Sequence, residues 1–228
     1  MTTDEKKLDN PVYHSLSEMH KDFAIDYNGV NFYHPDYCPF GGFINPYKIL
    51  EGIDTYSNLT SNFYVVGEKP LYSKGVTLVK NLVCNQMLLN KPVDIEINEQ
   101  IIELKLMNHK NDLFNLVNLV QPGYFKSKTP ELGRYYGIYK SDKLIAVTGE
   151  RMKTNLYTEV SAVVTHPEHR GKGYAQQLTA YASNRIFLEN KIPYLHVAET
   201  NINAKRLYEK LGFVTRRKIT FWNFITKV

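Results

Sequence analysis

The stretch VVTHPEHRGKGYAQQL, residues 163–178, decides how this chain folds. It joins a β-branched run, which is typical of a strand, to a glycine-rich turn and then to the start of a helix. The first turn of a helix has backbone N–H groups without intrahelical partners, and the helix dipole adds positive charge, so such a turn favours phosphate. Arg170 and Lys172 add charge, while Gly171 and Gly173 let a ligand approach the backbone. From this stretch alone, a tight turn with solvated basic side chains stays an equal alternative.

Two other phosphate-binding motifs do not fit this turn. A P-loop needs Ser or Thr after its Gly-Lys pair, whereas Gly173 follows Gly171 and Lys172 here. The dinucleotide fingerprint needs a third glycine, and Gln176 stands in its place. The turn therefore indicates neither a P-loop nor a dinucleotide-binding βαβ unit.

Strands and helices alternate on both sides of the turn. A hairpin is predicted around Ser141 and Asp142, because apolar residues alternate on both sides of this pair. Apolar residues at intervals of three and four predict a helix from about Gly173 to Glu189. Further elements are expected as follows: strands over residues 95–108, 156–166, 192–199 and 218–228, a helix over 111–120 capped by Asn111 or Asp112, and a short helix capped by Asn201 or Asn203 and ended by Gly212.

The composition and periodicity of the sequence change near residue 95. Residues 28–47 are rich in turn formers and aromatics and are typical of a folded loop, whereas residues 61–68 and 76–89 have the composition of strands. We therefore expect a mixed α+β protein, with a smaller α+β N-terminal part over residues 1–95 and a main domain over residues 96–228.

Composition excludes several classes of protein. The chain has 228 residues, 43% of them hydrophobic and 22% charged, which is ordinary for a globular protein. Its formal charge of +5 is spread along the chain, so nucleic acid is not an expected partner, and a small polyanionic ligand fits equally well. Cys38 and Cys84 are too few for a disulfide framework. Neither a secretory signal nor an apolar run of about 18 residues is present, so a soluble, cytoplasmic protein without a membrane partner is expected.

At this point the residues resemble a known family, the GNAT superfamily of acyl-CoA N-acyltransferases. Residues 170–175, RGKGYA, match its signature R/Q-x-x-G-x-G/A in full, and residues 201–213, NINAKRLYEKLGF, resemble its second signature. The resemblance covers about residues 100–228 and implies a central, mostly antiparallel, splayed sheet flanked by helices. The branch that looks most similar includes the glycine N-acyltransferase-like proteins, in which an N-terminal portion, often a degenerate GNAT-like half, precedes the catalytic domain. Residues 1–95 are a candidate for such a portion.

The resemblance implies acetyl-CoA as cosubstrate and a particular set of residues around it. The amides of residues 171–175 would hold the pyrophosphate, and Asn201 would hydrogen-bond the pantetheine arm. Tyr208 would protonate the leaving thiolate, and the amide of Val163 would polarise the thioester carbonyl. The full set of coenzyme A residues is Val163, Val164, His169, Arg170, Gly171, Lys172, Gly173, Tyr174, Ala175, Asn201, Ala204 and Tyr208.

An ammonium nucleophile must lose a proton before attack, so a base is also needed. Glu159 is the first candidate because it lies eleven positions before Arg170, the register in which histone-acetylating members of the superfamily place a glutamate. Strand alternation would put Glu159, Ser161 and Val163 on one face. A surface role for Glu159, Glu150 as the base, and a water molecule as the base are the alternatives.

The other reactive side chains indicate neither a metal site nor a catalytic base. His14, His34 and Cys38 lack a repeated zinc-ligand spacing, so no metal is expected. His196 alternates on a strand and is more typical of a sheet residue than of a base.

The function expected from the sequence is transfer of an acetyl group from acetyl-CoA to a primary amine, a small molecule, by direct attack. A catalytically silent acyl-CoA sensor or regulatory module is the alternative, and a nucleic-acid binder is a weaker one. A homodimer stays an option. The identity of the acceptor amine and the preferred acyl-chain length lie beyond the sequence, because one fold serves many acceptors.

Overall fold

The computed structural model describes residues 3–227, whose strands form one sheet of eleven. The strands in chain order are β1 Ala24–Asp26, β2 Val30–Tyr33, β3 Phe40–Phe43, β4 Asn62–Val66, β5 Val76–Leu88, β6 Ile102–Glu103, β7 Tyr135–Lys140, β8 Lys143–Lys153, β9 Tyr157–Thr165, β10 Ile192–Ala198 and β11 Val214–Thr226. The α-helices are α1 Thr3–Lys6, α2 Pro11–Ser17, α3 Ile49–Tyr56, α4 Met107–Val120, α5 Tyr174–Leu188 and α6 Ile202–Lys210. The mixed α and β class and the mostly antiparallel sheet flanked by helices are confirmed.

The sheet has the order β1-β2-β3-β4-β11-β5-β10-β9-β8-β7-β6. Among the described residues two neighbouring pairs are parallel, β3 with β4 and β9 with β10, and the other pairs are antiparallel. One pattern occurs twice: three antiparallel strands, a helix, and a strand parallel to the third. It comprises β1, β2, β3, α3 and β4 in the first half, and β7, β8, β9, α5 and β10 in the second.

The strands from the two sides of residue 95 are interleaved. β5 lies between β10 and β11, and β11 also pairs with β4 over five positions from Phe221 to Ile225. One buried cluster accordingly combines side chains from both sides, such as Leu8, Phe40, Met152 and Tyr194. A division at residue 95 stays a prediction, and the sheet itself runs across it.

Three expectations about local structure were wrong. Residues 28–47, expected as a folded loop, contain the buried strands β2 and β3, which pair with each other. The alternating residues 95–108 form only the two-residue strand β6. The backbone N–H groups that precede β6 bond to a side chain of α5 rather than to a neighbouring strand. Gln177 Oε1 accepts the N–H groups of Asn98 and Glu99 at 2.8 and 3.1 Å. Helix α4 begins at Met107 instead of near residue 111, and Asp112, expected as its cap, accepts a hydrogen bond from the Tyr139 hydroxyl at 2.7 Å.

The remaining elements of the second half follow the sequence closely. The hairpin turn has Ser141 and Asp142 at φ 47° and 61°, and Gly212 after α6 has φ 93°. Asn201 caps α6 by accepting the Ala204 N–H at 3.2 Å. None of the helices in the described part of the chain combines the length and apolar character that a membrane span requires.

Candidate active site

The strands β9 and β10 separate in the middle of the sheet. They pair only from Tyr157 to Glu159 on β9, so the rest of β9 has no partner on that side among the described residues. On its other side, where it pairs with β8, β9 has a β-bulge. Val147 on β8 pairs with Val164 and Gly149 pairs with Ser161, so two residues along β8 correspond to three along β9. Ala162, within the bulge, has φ 50°. The bulge interrupts the expected alternation of Glu159, Ser161 and Val163. As a result the consecutive residues 160–163 all border the opening between the strands.

The glycine-rich turn lies at the end of β9. Gly171 and Gly173 have φ 78° and 79°, values that side-chain-bearing residues rarely adopt, and α5 begins directly after Gly173. A Cβ atom built on either glycine would meet nothing within 4 Å. Arg170 and Lys172 are exposed beside them, Tyr174 is buried, and the turn therefore presents open backbone and two cations to solvent.

A cavity of about 410 Å³ occupies the opening between β9 and β10. Its α6 side is bordered by the cluster that packs between the sheet and α6, including Val160, Val197 and Tyr208. Its N-terminal side is bordered by the cluster beneath the N-terminal helices, including Phe40, Leu82, Cys84, Tyr124 and Phe221. Asn201, Ala204 and Val163 also line it. The cavity thus joins the two faces of the sheet.

The carboxylate of Glu159 lies in this cavity but is fully occupied. Arg151 donates to it through Nε and Nη2, both at 2.8 Å, His196 donates through Nδ1 at 2.8 Å, and the backbone N–H of Met152 donates at 3.4 Å. A carboxylate has about four acceptor positions, and these four donors use them. Glu159 therefore has no lone pair left for the proton of a substrate.

Electrostatics lead to the same conclusion about Glu159. Its side chain is 1% exposed, and burial by itself raises its pKa. The charge of Arg151 and the hydrogen bonds from Arg151 and His196 outweigh burial and lower the pKa to about 2. Such a carboxylate is a weak base. The structure thus argues against Glu159 as the direct base and for a role in holding Arg151 and His196.

A chain of hydrogen bonds extends from this ion pair toward the N-terminus. Gln86 donates through Nε2 to His196 Nε2 at 3.1 Å and to the carbonyl of Leu8 at 2.8 Å, and its Oε1 accepts from Arg216 at 2.9 Å. The partners on both sides fix the orientation of the Gln86 amide. His196 Nε2 is then the acceptor of the hydrogen bond from Gln86. The hydrogen atom of the imidazole is therefore on Nδ1, which donates the hydrogen bond to Glu159.

The other predicted side chains are divided between the cavity and the rest of the molecule. Tyr208 lines the cavity, its hydroxyl has no hydrogen-bond partner among the described residues, and burial raises its pKa. Glu150 does not line the cavity; it forms an ion pair with Lys153 and accepts the Arg134 N–H, so the geometry does not support it as the base. Val164 is buried in the cluster under α4.

One group of side chains has the spacing of metal ligands. Within residues 3–227, the ligand atoms of His166, Glu168 and His169 lie within 4.8 Å of one another. Glu168 is exposed, and the Nδ1 atom of His166 already accepts the Glu168 N–H at 3.3 Å. The Nδ1 atom of His169 is buried without a hydrogen-bond partner among the described residues, but the His169 side chain as a whole is only half-buried.

Sequence reasoning missed Arg151 and the N-terminal wall of the cavity. A signal for Arg151 does exist, because Arg151 and Glu159 are opposite charges on consecutive strands of a hairpin, where side chains pair across the strands. No comparable signal exists for Phe40, Cys84 or Phe221, which reach the cavity through pairing of distant strands.

Comparison with known proteins agrees with this architecture. Residues 135–222 match the family described as FR47-like protein. A solved structure from Novosphingobium aromaticivorans, assigned to the GNAT family of acetyltransferases, is 28% identical with a TM-score of 0.88, over 97% of this chain and 99% of that one. No curated protein matches the chain.

Two more distant structures show the same fold. A GCN5-related N-acetyltransferase from Kribbella flavida is 13% identical with a TM-score of 0.61, over 95% of this chain and 96% of that one. A tandem GNAT protein from the clavulanic acid biosynthesis pathway is 13% identical with a TM-score of 0.55, over 85% of this chain and 77% of that one.

The protein therefore has the fold of the GNAT acetyltransferases. Together, the FR47-like match and the structural neighbours support its placement in the GNAT superfamily and support acyl transfer as its class of reaction.

Proposed function

We propose that this protein is an N-acyltransferase that moves an acetyl group from acetyl-CoA to the primary amine of a small molecule by direct attack. The observation that carries the proposal is the cavity of about 410 Å³ between β9 and β10. It joins the α6 side of the sheet, where Tyr208 lies, to the N-terminal side, where Phe40 and Cys84 lie. Direct transfer requires two reactants to meet in one enclosed place, and a cavity through the sheet provides it.

The residues present fit coenzyme A at the turn. The open backbone at Gly171 and Gly173, at the start of a helix of 15 residues, is suited to a pyrophosphate, and Arg170 and Lys172 add charge. When bound, acetyl-CoA would supply the activated acyl group. His169, Tyr174 and Ala175 would border the pyrophosphate, and Val163, the backbone of Val164, Asn201 and Ala204 would border the pantetheine arm.

Tyr208 is the proposed proton donor. Tyr208 lines the cavity, its hydroxyl has no partner among the described residues, and its raised pKa keeps the proton in place at neutral pH. A protonated hydroxyl beside a leaving thiolate acts as a general acid.

The acceptor amine would lose its proton to water rather than to a side chain. Glu159 is saturated, Glu150 lies outside the cavity, and burial raises the pKa of the Cys84 thiol to about 12. The value of kcat/KM should therefore rise with pH through the pKa of each amine. Two amines of different pKa should give two displaced profiles, and a shared inflection for both would point to an enzyme base.

The proposal is tested by calorimetric titration with acetyl-CoA, followed by a thiol-release screen over primary amines. Binding together with turnover on an amine supports it. Binding without turnover favours the alternative, an acyl-CoA sensor or regulatory module, which the absence of a free base in the cavity also favours. No binding would refute the assignment of the turn.

We extend the proposal to the domain organisation of the chain, its cellular location and its partners. Residues 1–95 would be a degenerate GNAT-like half and residues 96–228 the acetyltransferase domain. The repeated strand and helix order of the two halves and the likeness to a tandem GNAT protein support this division. A cytoplasmic enzyme without nucleic-acid or membrane partners, monomeric or homodimeric, is the expected setting.

A further inference from the structure

The cavity contains two hydrogen-bond donors that the protein leaves unused, on Arg151 and on Tyr135. Arg151 donates to Glu159 through Nε and Nη2, but its third nitrogen, Nη1, has no partner within residues 3–227. The hydroxyl of Tyr135 likewise has none there. Both residues line the cavity, and neither atom is among the unpaired polar atoms sealed in the core.

The position of Arg151 is rigid. Its guanidinium forms a two-point contact with Glu159, and its Cζ atom lies 4.7 Å from the centroid of the Phe40 ring. Burial disfavours its charge, but Glu159 more than compensates and raises its pKa, so Arg151 stays charged. The direction in which Nη1 points is thus set by the protein before any ligand binds.

Because both donors reach the cavity rather than the sealed core, an acceptor atom of a ligand can take the place of the water that would otherwise bond them. The N-terminal side also offers apolar surface, with Phe40, Leu82 and Phe221 among its walls. The opposite charges of Arg151 and Glu159 cancel, so the site offers no net charge to an ammonium group.

Resting on the function proposed above, we propose that Arg151 and Tyr135 form the recognition site of the acceptor and bind an oxygen of it. The acceptor is a primary amine on a compact apolar body that carries a carboxylate or a carbonyl. The oxygen accepts hydrogen bonds from Arg151 Nη1 and the Tyr135 hydroxyl, the body packs against the N-terminal walls, and the amine points toward the α6 side. Phe40 and Leu82, which precede position 95, thereby supply part of the wall against which the acceptor packs.

The test uses matched sets of amines with acetyl-CoA at saturation. Each set shares one body and differs only in the oxygen group: phenylalanine, phenylalaninamide and phenethylamine; leucine, leucinamide and 3-methylbutylamine; alanine, alaninamide and ethylamine. Values of kcat/KM are compared on the high-pH plateau of each amine, so that differences in amine pKa do not enter.

We expect an oxygen-bearing member to exceed its plain amine by about tenfold to a hundredfold, as a hydrogen bond to a charged group allows. Preference for the acid identifies a carboxylate acceptor, and equal rates for acid and amide identify a carbonyl. The Arg151→Lys variant keeps the charge but loses Nη1, so the preference should fall to about twofold, through KM rather than kcat. Arg185→Lys, the same change on the exposed face of α5, should leave it intact.

The variants also guard against a folding defect. Acetyl-CoA affinity and thermal unfolding are measured for each one, and Tyr135→Phe, which removes only a hydroxyl, should weaken the same preference. Equal or better rates with the plain amines, or a preference unchanged in both variants, would overturn the inference. Acetyl-CoA binding without turnover of any amine in these sets would also overturn it, whereas no acetyl-CoA binding would refute the proposed function itself.

Discussion

Replacement of Glu159 by glutamine separates a structural carboxylate from a catalytic base. The wild-type carboxylate has a pKa of about 2 against an ordinary value of 4.5, so it is charged at neutral pH and binds Arg151 and His196. A depressed acidic pKa contributes stability that is present above pH 4.5 and lost as the pH falls through 2. The difference of about 2.5 pH units corresponds to about 3 kcal/mol.

Loss of one partner from a buried ion pair is expected to cost a similar amount, about 3–5 kcal/mol. Glu159→Gln should therefore lower the free energy of unfolding at pH 7 by about 3 kcal/mol, because Arg151 loses its counter-charge. The pH dependence of kcat/KM should keep its shape, since Glu159 does not receive the proton of the amine.

Equilibrium denaturation at pH 7 measures the first effect, and pH profiles of kcat/KM with one amine measure the second. Glu150→Gln is the matched control, because Glu150 is also a buried glutamate in an ion pair but lies outside the cavity. A stable Glu159→Gln protein that lost about a hundredfold in rate together with the rising limb of the profile would refute the reasoning, and Glu159 would then be the base.

Three further predictions follow from single side chains. Tyr208→Phe should lower kcat about a hundredfold with little change in acetyl-CoA affinity, because its hydroxyl has no other partner among the described residues; equal turnover would remove it from catalysis. Gly173→Glu should weaken acetyl-CoA binding by about tenfold in calorimetry, whereas Gly173→Ala, which shares the backbone strain at φ 79°, should weaken it less; equal losses would mean that charge is irrelevant. Burial lowers the pKa of His20 to about 3 from 6.5, so only the unfolded chain takes up its proton between these values, and stability should fall by about 2 kcal/mol from pH 6.5 to 4.5; a His20→Gln variant with the same slope would contradict this.

The parts of the site that sequence predicted are those built from local backbone. Gly171 and Gly173 signal positive φ by their residue type, and α5 follows from the period of its apolar residues. Asn201 caps α6 because its side chain reaches an N–H three residues later. Each of these inferences depends on residues within a few positions of one another, so one sequence contains what is needed.

The parts that escaped prediction depend on pairing over long distances. Nothing near Cys84 indicates that it faces Ala198 on one side and Ile219 on the other, since strand partners are chosen by the whole sheet. The alternation of residues 95–108 resembles a strand, yet the N–H and carbonyl of Val93 and the amides that follow bind side chains of α5. The bulge at Ala162 lies within a β-branched run that gives no local reason for φ 50°.

The interleaved strands make the acceptor side of the cavity a joint product of both halves of the chain. Glu159 and His196 come from the second half, while Cys84 and Phe40 come from the first. The backbone carbonyl of Leu8 holds Gln86, Gln86 holds His196, and His196 holds the carboxylate that orients Arg151. Five hydrogen bonds, two of them between Arg151 and Glu159, thus connect the N-terminal segment to the proposed recognition site, and both halves contribute groups to this path. If the proposed recognition site binds the acceptor, the N-terminal part is a component of the active site, because its hydrogen bonds reach Arg151 through Gln86, His196 and Glu159.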